Sequence, residues 1–129
     1  LLGQIAAEAS LDAPREYAIH TYEEYIERRN CLVDELNKIE GVFSPIPMGA
    51  FYTIARLPID DSDKFCEWCL RDFEYEGATV MLAPASGFYS EEGLGKNEVR
   101  IAYVLEKDEL KKAIRILGKA IETYNKLEK

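Results

Sequence analysis

The chain has 129 residues, a formal net charge of −8 and three cysteines. Its length suits one domain, which buries about two-thirds of its unfolded surface and needs no staples. So acidic a surface argues against nucleic acid and anionic membranes as partners, and an odd cysteine count excludes an all-paired disulfide framework and fits a reducing, cytoplasmic setting. No basic-then-apolar leader and no apolar run of about 18 residues is present, so neither a signal peptide nor a membrane span is expected.

Leu1 to Ser10 is apolar and helix-prone. A helix this short needs a surface to pack on, so residues 1–12 are expected to be the tail of an element belonging to a longer protein. Asp12-Ala13-Pro14 then looks like a helix start, with Asp12 as N-cap and Pro14 in the first turn. Tyr22, Tyr25, Ile26, Leu32, Val33, Leu36 and Ile39 recur at helical spacing, and Gly41 is a natural stop. His20 has no visible ligand partners and is read as a surface histidine.

Val42 and Phe43 suggest a short strand, broken by Pro45 and Pro47, which cannot donate to a ladder. Ala50 to Leu57 is aromatic and β-branched and predicts a strand. Ile59 to Asp63 is a capping segment whose acids favour the positive end of the next helix. It lacks the later Gly and terminal Glu of a calcium loop. The helix that follows carries Phe65, Cys66, Cys69, Leu70 and Phe73 on one face, and Gly77 stops it. Cys66 and Cys69 form a C-x-x-C inside this helix, with no second cysteine pair or nearby His to complete a zinc set, so a packing role is expected.

Thr79 to Ala83 predicts a compact apolar strand. Pro84 to Lys96 is a long loop of the kind that is functional or mobile. Its Gly95-Lys96 lacks the remaining positions of a phosphate loop. From Lys96 to Val104, apolar Val99, Ile101 and Tyr103 alternate with Glu98, Arg100 and Ala102, the period of a half-buried strand. A last helix opens at Lys107 with Leu110, Ile114, Leu117, Ile121 and Tyr124 as its inner stripe. The order predicts an α+β domain: a small, mainly antiparallel sheet of about four strands with helices packed on one face.

Arg100 is the candidate binding residue. Strand alternation places it on the face opposite Val99 and Ile101, where a guanidinium beside a loop can grip a carboxylate. On the strand pattern alone, the commoner role of such an Arg is a solvated sheet face. No nucleophile with a base and no metal set is visible. Tyr52, Phe88 and Tyr89 are candidates either for a pocket lining or for packing.

Three segments share a pattern with a known family. Pro47-Met48-Gly49-Ala50-Phe51-Tyr52 resembles a P-x-G-A/G-F-Y/F strand entry, Val80 to Phe88 a V-x-V-x-P-G-S-x-F segment, and Glu98 to Tyr103 an x-[VIL]-R-[IL]-[SA]-[YF] strand. In this order they resemble the C-terminal part of class I/II (fold type I) pyridoxal-phosphate-dependent aminotransferases of the aspartate aminotransferase type. Gln4 to Ala7 resembles the helix that joins the large domain to the small one. Ala85 departs from the pattern, which usually has Gly there.

The resemblance implies that residues 1–12 are the tail of the linking helix and 13–129 the small domain. It implies that the full enzyme moves an amino group between an amino acid and a 2-oxo acid, and that Arg100 binds the substrate carboxylate. It also implies pyridoxal 5'-phosphate as cofactor, a homodimer formed through the large domain, and a small domain that closes over substrate. The family's Schiff-base lysine lies upstream, in a Ser/Thr-x-x-Lys context inside the large domain, a setting that no lysine of this stretch has. This stretch alone is therefore expected to hold no cofactor and to catalyse nothing. The competing expectation is a free-standing α+β regulatory or interaction module with Phe88 to Lys96 as its contact surface.

Overall fold

A computed structural model describes residues 1–127; positions 128–129, which close the expected domain, lie outside the described residues. The elements run α1 (Leu2–Leu11), α2 (Arg15–Leu36), β1 (Tyr52–Arg56), α3 (Ser62–Arg71), β2 (Ala83–Pro84), β3 (Glu98–Ala102) and α4 (Lys107–Leu127), with a 3-10 turn at Ser86–Phe88. The α+β class is as expected, but the sheet has three strands rather than about four, in the order β1-β3-β2 and antiparallel throughout.

One expected strand is lost and another is shortened. Phe43 forms only an isolated bridge to Arg56, through two backbone hydrogen bonds. Beyond it the Asn37 side chain bonds both the N–H and the carbonyl of Ser44, and prolines at 45 and 47 cannot extend the ladder. The run from Thr79 also falls short, because only Ala83 and Pro84 pair with β3. Its start is held at the end of α3, where the Thr79 hydroxyl donates to the Cys69 carbonyl at 2.6 Å. Pro84 is tolerated because β2 is an edge strand.

The helix boundaries shift for similar local reasons. Asp12 does not cap α2: it closes α1, and its N–H returns to the carbonyls of that helix. Pro14 stands at the N-cap position of α2 with extended backbone and no side-chain cap. α2 ends at Leu36, short of Ile39, and a turn leads to Gly41. Gly41 has φ +79, and a Cβ there would lie 2.9 Å from Pro58 Cβ, so the turn requires glycine. Asp61 caps α3 as the acidic segment predicts, accepting from the N–H groups of Asp63 and Lys64 at 3.0 and 3.1 Å.

The core lies on one side of the sheet. Thr53 and Ala55 from β1 and Val99 and Ile101 from β3 turn inward. Leu32 and Leu36 of α2, Phe65 and Cys69 of α3, and the whole expected stripe of α4 are buried with them. Phe65 meets Tyr124 edge-on at 5.2 Å between ring centroids. Leu70, placed on the inner face of α3 by spacing alone, is exposed. So is Tyr22. No residue of α1 is buried, and Leu2 and Leu11 are each 85% exposed. Among the described residues no helix is long and apolar enough to cross a membrane.

Because the core excludes α1, deletion of residues 1–11 should leave the urea midpoint of the rest nearly unchanged. Leu117→Ala, at a fully buried position, should cost about 2–5 kcal/mol in the same titration.

Candidate functional site

Arg100 stands at the centre of β3, opposite Ile54 of β1 and Ala83 of β2. Its neighbours in sequence, Val99 and Ile101, are 0% and 8% exposed, whereas Arg100 itself is exposed. Burying those two side chains fixes which way the strand faces. A slip of one residue would turn both into solvent. Strand alternation gives the outer face Tyr52, Ile54 and Arg56 from β1 and Glu98, Arg100 and Ala102 from β3.

The guanidinium of Arg100 lies between two aromatic rings. Its central carbon is 5.1 Å from the Tyr52 ring centroid and 5.0 Å from that of Phe88. Each such contact contributes about 0.5–1 kcal/mol at an exposed site. The two rings restrict the side chain while leaving its N–H groups unbonded to any described residue. No described carboxylate forms an ion pair with it. A charged planar fork held this way can meet a carboxylate with two parallel hydrogen bonds. Tyr52 and Phe88, left between pocket and packing by the sequence, flank this side chain.

Both rings are held from behind. Tyr52 enters β1 directly after Phe51, whose carbonyl accepts from the Tyr103 N–H at 2.9 Å. The buried Tyr103 hydroxyl donates to the Ala50 carbonyl at 2.9 Å. Phe88 ends the 3-10 turn, and its N–H donates to Ala85. Ala85 has φ −93, which any L residue adopts, so this departure from the family pattern leaves the turn unstrained.

The long loop is tied down on several sides. The Ser86 hydroxyl donates to Asp63, and the buried Ser62 donates its N–H to Lys96 and its hydroxyl to Gly95. The Tyr89 hydroxyl donates to the Glu98 carboxylate, and this bond pushes the tyrosine pKa up. Arg56, on the same face, stacks over Phe43 at 5.6 Å. The roles of Tyr89 and Glu98 come from a contact across nine residues of loop, which neither periodicity nor spacing signals.

The other candidates are not brought to this site. His20 is exposed and faces Glu23 at 3.7 Å. Cys66 and Cys69 are buried free thiols, and burial pushes them up to about 11 and about 12. No cluster of three or more metal-ligating side chains occurs among the described residues. The described lysines are all exposed. Lys38, Lys107 and Lys119 have pKa values raised by Glu35, Glu27 and Glu122 respectively.

Comparison with known proteins gives one consistent answer. No family model matches the chain. It is 32% identical over 131 aligned residues to an aspartate aminotransferase of Rhizobium meliloti, an alignment covering 92% of this chain and 30% of the relative. The crystal structure of the aspartate aminotransferase from Rhizobium meliloti superposes with a TM-score of 0.73 at 30% identity, covering 92% of this chain and 30% of that one. An alpha-aminoadipate aminotransferase from Thermus thermophilus, solved with N-(5'-phosphopyridoxyl)-L-leucine, shares the fold at a TM-score of 0.75 and 20% identity, over 93% of this chain and 30% of its own. The chain thus spans about 30% of the length of these relatives.

The thiols carry a prediction. A thiol whose folded pKa is raised stabilises the fold fully below its unfolded pKa, near 9, and loses that contribution as pH rises through the folded value. Stability should therefore fall between about pH 9 and 12, and Cys66→Ala/Cys69→Ala should flatten that slope in urea midpoints measured against pH.

From its motifs, its fold and these matches, the chain belongs to the class I/II, fold type I pyridoxal-phosphate-dependent aminotransferases and corresponds to their C-terminal small domain.

Proposed function

We propose that this chain is the substrate-clamping part of an enzyme that transfers an amino group between an amino acid and a 2-oxo acid, and that Arg100 holds the substrate carboxylate. The supporting observation is the guanidinium set between Tyr52 and Phe88 and ion-paired with no carboxylate among the described residues. The two-pronged grip fixes one end of the substrate and so orients its amine and Cα–H bond for reaction. Pyridoxal phosphate supplies the electron sink in such chemistry. The rest of the protein would hold it, since the described lysines all stand exposed on the surface, and this chain alone would be inactive.

In this reading residues 1–12 belong to the linking helix and 13–129 to the small domain. The unburied apolar side chains of α1 support that division, because they need a neighbour that this stretch does not provide. An Arg carried by a moving domain would couple carboxylate binding to closure and water exclusion. The complete enzyme would be a cytoplasmic homodimer joined through its large domain. A free-standing interaction module is disfavoured, because the matches are to aminotransferases along nearly the whole chain.

In the complete enzyme, Arg100→Ala should raise KM for the amino acid and lower kcat/KM by about ten- to a hundredfold, the scale of a lost charge-assisted pair. Arg100→Lys should recover only part of this, because an ammonium lacks the fork. Steady-state kinetics with unchanged constants would remove Arg100 from the site.

A further inference from the structure

Glu98 presents an apparent conflict. It lies on the same sheet face as Arg100, two residues away along β3, a Cα separation of about 6.6–6.8 Å that both long side chains can bridge. It also stands directly opposite Arg56. With two guanidinium neighbours, its expected state is an ion pair. Yet among the described residues it pairs with neither. Arg100 lies between its two rings and Arg56 over Phe43, while the Glu98 carboxylate accepts the hydroxyl of Tyr89.

The position of Tyr89 is built rather than incidental. Gly95 lies against its ring: a Cβ there would come within 2.6 Å of two ring carbons and 3.0 Å of the Ala85 backbone, and φ at Gly95 is +71. Both the space and the backbone conformation therefore call for glycine. Gly95 is in turn fixed by the Ser62 hydroxyl, at 3.3 Å from its carbonyl. The Glu98 N–H donates to the same Gly95 carbonyl at 3.0 Å, so the loop closes back onto the strand at the residue whose side chain it restrains.

We propose that Tyr89 is a positioning residue that ties the Glu98 carboxylate away from Arg100, so that the guanidinium is open to an external carboxylate instead of being occupied by an internal one. This rests on the reading of Arg100 as the carboxylate site. It adds the element that keeps that site unoccupied by the protein's own acid. Tyr89 acts only through Glu98. Removing the hydroxyl frees Glu98 to compete for Arg100, and removing the Glu98 charge makes Tyr89 dispensable.

The test is a titration of the ¹⁵N-labelled chain with acetate at pH 7 and constant ionic strength, following the Arg100 Nε–H signal. The wild-type signal should shift saturably. Tyr89→Phe, which keeps the ring against Gly95, should weaken acetate binding about two- to fivefold, the range for an exposed ion pair. Tyr89→Phe/Glu98→Gln should restore the affinity, and Glu98→Gln alone should raise it less than it does in the Tyr89→Phe background. Unchanged affinity in Tyr89→Phe, or a loss that Glu98→Gln does not restore, overturns the proposal. If the wild-type Arg100 signal shows no saturable shift, the reading of Arg100 itself fails, and this inference with it.

Discussion

The antiparallel pairing of β1 with β3, with Ile54 opposite Arg100, is the constraint on which the rest depends. It makes one five-residue strand serve two purposes. Val99 and Ile101 enter a core shared with α2, α3 and α4, and burial of both sets the register. Arg100 between them is then carried to the opposite face by a backbone with little freedom to yield. A binding side chain on a paired strand with a packed rear is held more precisely than one on a loop.

The same pairing gathers the surroundings of Arg100 from distant parts of the chain. Tyr52 comes from the start of β1 and Phe88 from the 3-10 turn after β2. The buried Tyr103 fixes the first through Ala50 and Phe51, and the Ser62 and Ser86 bonds hold the loop that carries the second. The outer face is therefore organised without being buried. It offers a rigid cation on an open surface, which suits one wall of a site completed by another domain.

Much of this could be read from the residues. The two-residue period of β3 showed the direction of Arg100, and the acid run before α3 showed its cap. The α4 stripe was buried as its spacing indicated. Other features depended on tertiary contacts and carried no local signal. Asp12 has the chemistry of a cap, but α1 runs through to Leu11 and claims it. Thr79 to Leu82 has strand composition, but a hydrogen bond to Cys69 holds its start at the end of α3. Leu70 and Tyr22 fit helical spacing, but the elements around them leave those positions open. The aromatic flanks of Arg100 were visible only as residue types, and the tie between Tyr89 and Glu98 was not visible at all.

The most direct measurement is a crystal structure of the complete enzyme with a bound amino-acid substrate analogue. The account predicts the analogue's carboxylate against Arg100, with two N–H···O contacts of about 2.7–2.9 Å and the guanidinium still between Tyr52 and Phe88. A carboxylate bound elsewhere, with Arg100 facing solvent, would contradict it.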